Sequence, residues 1–563
     1  MPIVEWTRRE TLHRLGSESF DLLIIGGGIT GAGLAREAAL AGLHTALVER
    51  DDFASGTSSR SSRLVHGGVR YLEHGHVGLV FESSQERRRL LQLAPHLVRP
   101  LAFTWPVYAG ARVPRWKLRA GLAMYDALAL FRNVGRHQGL SRDAVLAAEP
   151  ALARKGLTGG ARYWDAATDD SRLTLATVLA AVEHGAAIAN HAAVVGGIYD
   201  GSRLIGASVR DQLRPESDAI EIRARVVVNA TGPWSDITSA LTAAAGTSPG
   251  ETHAEGTHVR GSAGAHISVP RNRVGNREAI TLVSPLDGRV MFVLPSGTQT
   301  IIGTTEHPAA RGPDEIRATR HDVQYLIDSV NQCLPAAELT RDDVIAAWSG
   351  IRPLAAVRAG SSSANSASRE HAIEQQSNGL LSVTGGKLTT YRAMAADILT
   401  HVVRALGTNR PSGNHAGRAL DSTRTPLPGG ETLVFDDVIQ DAVRAIGDQA
   451  IGVRLASAYG THWMAVWQRA VSDGALAVRI SPTLPYVRAE VVYAVERHMA
   501  CTIADVLVRR THLAFETRDH GVSVAGDVAR IMQPLLGWSD AEREMQIAQY
   551  GAQVRRLFSI DDD

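Results

Sequence analysis

Cysteine is almost missing from this chain of 563 residues: there are two, Cys333 and Cys501, in neither C-x-x-C nor zinc-ligand spacing. That excludes a disulfide framework and a structural zinc module, so both thiols read as ordinary buried side chains and no metal site is expected. Net charge is nearly missing as well, because 59 Lys and Arg offset 58 Asp and Glu. No global field draws the protein to nucleic acid, and any anion recognition must come from local clusters. Long apolar runs are lacking too. The nearest, Ala120 to Phe131, contains Asp126 and falls short of the roughly 18–20 residues that a transmembrane helix needs. The segment Met1 to Ser19 is charged and has no apolar signal core. A cytoplasmic protein is expected, attached to a membrane at most by its surface. The length suggests roughly two to four domains.

What is present is a glycine-rich start. Asp21-Leu22-Leu23-Ile24-Ile25 reads as a short buried strand, Gly26 to Gly28 as a turn, and the small residues that follow as a helix running to about Gly42. Gly26, Gly28 and Gly31 occupy the G-x-G-x-x-G positions. The first permits the turn, the second lets a pyrophosphate approach the backbone, and the third lets helix and strand pack closely. Ile29 and Thr30 open the helix, whose N–H groups and positive dipole end face the phosphates. A second strand, Thr45 to Val48, delivers Glu49, whose carboxylate can accept both hydroxyls of an adenosine ribose. Strand, helix, strand and terminal acid in register make a dinucleotide site.

Beyond Glu49 lies a polar loop, Arg50 to Arg63. Residues 76–98 and 172–190 read as helices, and 191–200 as a strand. Val226 to Asn229 is a buried strand ending in the turn Ala230-Thr231-Gly232, a second close approach to a cofactor. Residues 256–304 alternate as antiparallel strands do, predicting a sheet outside the nucleotide domain. Leu380 to Val383 is a strand running through Gly385 and Gly386 into Lys387, Leu388 and Thr389, which open a helix. A Pro/Gly/Thr linker, roughly Ser422 to Glu431, precedes a mainly helical tail. There Asp505 and Arg509, four residues apart, read as a stabilising surface pair.

Several separated blocks resemble one family, the FAD-dependent glycerol-3-phosphate dehydrogenases among the D-amino-acid-oxidase-like flavoproteins. They are Gly56-Thr57-Ser58-Ser59, His66-Gly67-Gly68-Val69-Arg70-Tyr71-Leu72-Glu73, Asn229 to Trp234, Gly256-Thr257-His258, Gly303-Thr304-Thr305, Ser349 to Leu354, Ser368-Arg369-Glu370-His371 and Thr384 to Arg392, with Met499-Ala500 and Thr502 to Arg510 in the tail. The resemblance spans about residues 18 to 550. It implies an α/β fold: a Rossmann-like FAD-binding domain (18–75, 155–245 and 376–412), an antiparallel-sheet substrate domain (76–154 and 246–375) and a C-terminal helical domain (432–550). It implies FAD as cofactor. The flavin contacts would be Gly26, Gly28, Ile29, Thr30, Gly31, Glu49, Thr57, Ser58, Ser59, His66, Gly67, Gly68, Thr231, Gly232, Gly385, Gly386, Lys387, Leu388 and Thr389. The implied reaction oxidises glycerol 3-phosphate to dihydroxyacetone phosphate and passes electrons to a membrane quinone. The alternatives are an oxidase using oxygen, an amine or amino-acid oxidase of the same fold, and a flavin-bound protein without turnover. A homodimer is left open.

The substrate's near-dianionic phosphate needs forked donors, and within the matching blocks Arg352 and Arg369 suit it because guanidinium groups bind phosphate bidentately. Arg70 and Tyr71 are candidates for the glycerol hydroxyls, with a structural ion pair an equal reading for Arg70. Lys387, at the start of a helix after two glycines, can add positive charge at the flavin edge or bind substrate. Neutral imidazole serves as a base near pH 7. His258 is the first candidate, through the family match, and His66 the competitor. Finally, Arg115, Lys117 and Arg119 crowd one end of an apolar stretch (Leu122, Met124, Leu128, Leu130 and Phe131), with Trp116 at the boundary. That composition suits either an interfacial helix on anionic lipid or a helix packed in the substrate domain.

Overall fold

The computed structural model describes residues 7–243, 259–309, 311–355, 371–407 and 420–562. The strand Ser19–Ile25 is buried along all but its first residue, as a continuous apolar run in a parallel sheet should be. It lies parallel between Ile220–Asn229 and Thr45–Val48. The sheet order is Ala372–Gln375, Leu381–Thr384, Ile220–Asn229, Ser19–Ile25, Thr45–Val48, Ala187–Ala189. An antiparallel ribbon, Ala192–Asp200 and Arg203–Asp211, extends from the first half of Ile220–Asn229. Leu22 and Ile24 face the helices Ile29–Leu40, Asp170–Glu183 and Tyr391–Leu406, whereas Leu23 and Ile25 face the ribbon side with Leu204 and Val209.

Register fixes where a ligand can bind. Ile25 pairs with both Val48 and Asn229, and Asn229 with Ser382. Four parallel strands therefore end at one edge, where ligands of open α/β sheets sit. The segments leaving that edge begin at Gly26, Glu49, Ala230 and Gly385.

The second sheet is ten-stranded and mainly antiparallel. Val259–Pro270 is flanked by Gln299–Gly303 and Ala346–Ala355, and the sheet continues through Val290–Ser296, Ala279–Val283, Val98–Tyr108 and Leu157–Thr168 to Leu64–Val65. Helix Arg320–Cys333 covers one face. On the other, Trp105, Tyr163 and Trp348 share a core with Phe515, Met532 and Tyr550 of the C-terminal helices. The domain borders differ from the expected ones in three places. Leu64–Val65 pairs with Ala166 and Ala167, so it and Leu157–Thr168 lie in the second sheet, while Ala372–Gln375 edges the first.

Two helices also differ in extent from the sequence reading. The first of the expected pair is Val77–Leu93, and the second ends at Glu183, with a separate strand Ala187–Ala189 behind the turn at Gly185.

Candidate active site

A cavity of ≈ 360 Å³, in the range of cofactor pockets, runs along the common strand edge into the second sheet. At its first end the three glycines behave as their spacing requires. Gly26 has φ +109°, and a Cβ there would lie 2.8 Å from the Ala230 carbonyl oxygen. A Cβ on Gly31 would lie 1.9 Å from the Gly26 oxygen, so only glycine lets the helix sit on the turn. Gly28 is different: a Cβ would meet only Ser58 Oγ, at 3.3 Å, on the cavity side. Ser58 Oγ accepts from the Ile29 N–H at 3.0 Å, and Gly28 supplies no side-chain cap.

Glu49 lines the same end. Its Oε2 accepts from the Gly27 N–H at 2.6 Å and its Oε1 from the Asp51 N–H at 2.9 Å. Burial, helped by the Asp51 charge, pushes the carboxyl up to about 7 against those two N–H groups. Each carboxylate oxygen keeps acceptor capacity for a further donor. Ala192, Val194, Ile237 and Leu241 form an apolar slot beside it, of a kind that takes a planar heterocycle. A glycine cradle, a fixed acid and an apolar slot in one continuous cavity fit an adenine dinucleotide.

At the other end the second sheet contributes Gly264, His266, Phe292, Gly350, Arg352 and Pro353. Arg352 stands opposite Ser262, and His266 opposite Trp348, in paired strands. Arg352 Nη2 donates to Thr304 Oγ1 at 3.1 Å. Gly264 leaves the room for this, because a Cβ there would be 2.7 Å from both groups. His266 stacks on Trp348 with ring centroids 5.5 Å apart, and its Cδ2 would lie 2.1 Å from a Cβ on Gly303. Its Nε2 is hydrogen-bonded to Ser62 Oγ at 2.8 Å. Burial, with the charges of Arg352 and Arg63, lowers this imidazole to about 3, so it is neutral at pH 7.

The first sheet answers with Gly385 (φ +78°), Gly386 (φ +87°), Lys387, Leu388 and Thr389. Lys387 Nζ lies over the Tyr71 ring. Thr389 Oγ1 accepts from the His66 N–H at 3.1 Å and donates to the His66 oxygen at 3.2 Å, joining the two segments. Thr57, Thr231 and Gly232 line the middle.

Not every expected residue reaches the cavity. Gly31 is spent on packing, and Ser59 is buried with its hydroxyl donating to the Gly56 oxygen at 3.4 Å. Gly67 donates its N–H to Asp165 at 3.0 Å beneath Tyr125, and Gly68, at φ +76°, turns the chain against Tyr71. Arg70 is half-buried and is not among the lining residues. Lys387 precedes a 3₁₀ turn, Leu388–Thr390, and the α-helix begins only at Tyr391, so no α-helix dipole starts at Lys387. His258 and Arg369 lie outside the described residues.

The family described as FAD dependent oxidoreductase matches residues 21–392, and the C-terminal domain of alpha-glycerophosphate oxidase matches residues 421–543. Glycerol-3-phosphate dehydrogenase 2 of Mycobacterium bovis is 37% identical over 556 residues, which cover 96% of this chain and 89% of that protein. The glycerol-3-phosphate dehydrogenase of Synechocystis is 36% identical over 94% of this chain and 96% of its own. The chain belongs to the FAD-dependent glycerol-3-phosphate dehydrogenase family. In fold it is similar to the glycerol-3-phosphate dehydrogenase of Bacillus halodurans complexed with FAD, with a TM-score of 0.78 and 29% identity over 98% of this chain and 99% of that one. The cofactor of this dehydrogenase is FAD, and the glycine cradle and Glu49 line one end of the cavity that fits it.

Among the lining side chains of this family member that sequence reasoning missed are His266, Ser62 and Arg60. Arg60 donates to the oxygens of Ser55 (3.3 Å) and Ser349 (3.5 Å), and burial with the charges of Arg556 and Arg509 lowers it to about 10. The available signal for His266 was its place in the alternating run His266-Ile267-Ser268-Val269. Ile267 and Val269 point into the core under helix Arg320–Cys333, so His266 must point to the other face.

Proposed function

We propose that the chain oxidises sn-glycerol 3-phosphate to dihydroxyacetone phosphate by hydride transfer to FAD and delivers the electrons to a quinone in a membrane. The observation that carries the first part is the presence, on adjacent strands and in one cavity, of a neutral buried imidazole, His266, and a guanidinium, Arg352. When bound, FAD supplies the acceptor for the hydride that leaves C2.

The residues of the chain do the rest. Arg352 binds the phosphate, held in aim by Thr304. Tyr71 and Lys387 border the same end and fix the glycerol hydroxyls. With the imidazole in the tautomer whose Nε2 accepts, Ser62 Oγ takes the C2 hydroxyl proton as its own proton passes to His266 Nε2. Burial is the main cause of the low imidazole value, and the phosphate dianion beside Arg352 offsets the second, the Arg352 charge. Anaerobic titration with glycerol 3-phosphate tests this reading. Stoichiometric bleaching of the flavin supports it, and an unchanged spectrum rejects it.

The membrane part rests on one surface. Helix Arg115–Leu128 buries Leu118, Leu122 and Tyr125 against the protein, so Leu122 belongs to the core and not to the exposed stretch. Trp116 (73% exposed) and Phe131 (61%) stand out from it, with Met124, Leu130 and Val134 beside them. Lys117, Arg119, Arg132 and Arg136 are exposed around these apolar groups. Arg115 is instead tied to the Thr158 and Leu140 carbonyls. Among the described residues no helix is long and apolar enough to cross a membrane. Shallow burial of aromatic side chains beside basic ones is the chemistry of a surface attached to anionic lipid. Flotation with anionic vesicles at low salt, lost in Trp116→Ser/Phe131→Ser, is the expected result. An oxygen electrode separates the quinone reading from its alternative: fast peroxide formation without quinone marks an oxidase.

A further inference from the structure

We infer that the C-terminal helical region is a positioning element of the FAD site, acting through the carboxylate of Asp52. This rests on the assignment of Glu49 to the adenosine half of the cofactor.

Asp52 follows Glu49 by three positions and is wholly buried. Its Oδ1 accepts from Arg510 Nη2 and from Asn190 Nδ2, both at 2.9 Å, and its Oδ2 from Arg509 Nε and Arg510 Nη1. The two arginines belong to a π-helical turn, Asp505–Arg510, and their aim is set before they meet Asp52. Arg509 Nη2 is held by Asp505 at 2.8 Å, and Arg510 Nη2 also donates to the His498 oxygen at 2.8 Å. Asp505 in turn accepts from the N–H groups of Cys501 (2.8 Å) and Thr502 (3.0 Å) and bonds His191 Nε2 at 2.9 Å. Asp505 and Arg509 are therefore the centre of a buried network, not a surface pair.

A buried cluster of two carboxylates and two guanidiniums is weak evidence for net stability, since well-packed apolar groups often do as well. What it supplies is one fixed arrangement. Here the arrangement is that of the loop from Glu49 to Ser58. That loop touches the glycine turn at each step. The Ala54 N–H donates to the Gly27 oxygen at 3.1 Å, with Ala54 in the left-handed region at φ +63°. Phe53 lies where a Cβ on Gly27 would be 2.8 Å away, and Ser58 takes the Ile29 N–H. From behind, His191 donates to the Asp51 oxygen at 2.6 Å and Ala192 to the Glu49 oxygen at 2.8 Å. Among the described residues Asp52 ties this loop to the C-terminal region through Arg509 and Arg510, between Glu49 and Ser58.

The test compares cofactor affinity with fold stability. Deflavo-protein of the full chain, wild type and Asp52→Asn, is titrated with FAD while flavin fluorescence is followed, and its melting is measured without FAD. Hydrogen exchange over residues 49–58 is read on the same apo-protein. The expected result is an FAD Kd raised about tenfold or more and faster exchange confined to 49–58 and its contacts, with the KM for glycerol 3-phosphate of the FAD-saturated enzyme within about twofold of wild type. An FAD Kd within about twofold of wild type, whatever the melting temperature, overturns the inference and leaves a purely structural tie. If Asp52→Asn does not fold, Arg509→Lys, which keeps the charge but not the fork, is judged by the same Kd criterion. Wild-type protein that fails to bind FAD at all would instead reject the cofactor assignment.

Discussion

Lys387 Nζ lies 3.8 Å from the centre of the Tyr71 ring. The first residue leaves the last parallel strand of the nucleotide sheet. The second sits in the 3₁₀ turn Val69–His74, just after a strand of the second sheet. Both line the cavity, so segments leaving the two sheets meet there through a cation and an aromatic face.

Removing the ring should therefore loosen Lys387. In Tyr71→Leu the KM for glycerol 3-phosphate should rise about 2- to 30-fold, the range spanned by exposed to desolvated cation–π contacts. Tyr71→Phe, which keeps the ring, should stay near wild type. Equal losses in both variants would show that the hydroxyl, not the ring, is what matters. Steady-state kinetics on matched FAD-loaded enzyme gives the answer.

Arg352→Ala should lower kcat/KM for glycerol 3-phosphate about ten- to a hundredfold, the loss expected from a charge-assisted contact of about 1.5–3 kcal/mol, with the flavin still bound. Arg352→Lys should recover only part of it, because an ammonium cannot make the forked contact or reach Thr304 in the same geometry. Wild-type kinetics in both variants would remove Arg352 from the phosphate site.

His266→Asn should slow flavin reduction in single turnovers by about 10²- to 10⁴-fold, the usual contribution of a positioned base, with substrate binding largely kept. Ser62→Ala should give a smaller loss in the same step. An unchanged reduction rate in His266→Asn would transfer the role to His66, which lines the cavity as well, or to His258.

Glu49 gives a pH dependence with a defined sign. Its folded value, about 7, lies above the ordinary 4.5, so ionising it costs the apo-protein stability as pH rises through that interval. Ribose hydroxyls donate to the ionised form, so binding FAD requires the proton to leave. FAD affinity should weaken as pH falls below about 7, by up to about tenfold per pH unit, and Glu49→Gln should flatten the profile. Titration of deflavo-protein between pH 5.5 and 8.5, roughly one and a half units to either side, checks it.

The nucleotide half was legible in the sequence because its determinants are local. Gly26, Gly31 and Glu49 are defined by a strand, a turn and a helix within a few tens of residues, and their structural roles follow from backbone sterics. The substrate half depends on which strands lie side by side. His266 and Arg352 meet only because Val259–Pro270 pairs with Ala346–Ala355, and no local pattern announces that partnership. The same limit explains Asp505 and Arg509. Their spacing places them on one side of a turn, but says nothing of Asp52 facing them. In Arg115–Leu128 the stripe Leu118, Leu122, Tyr125 has the spacing of a packed helix face, and it separates the core-facing residues from Trp116, Met124 and Phe131.

The order of the first sheet has a consequence for how the chain is made. Its central strand, Ser19–Ile25, is made some two hundred residues before its neighbour Ile220–Asn229, and Arg510, which grips Asp52, follows later still. Contacts so distant along the chain form slowly and leave apolar strands exposed in the meantime. A nascent chain stalled short of residue 510 has the glycine turn but lacks the arginines that anchor its loop, so its flavin affinity should stay low until that turn has been made.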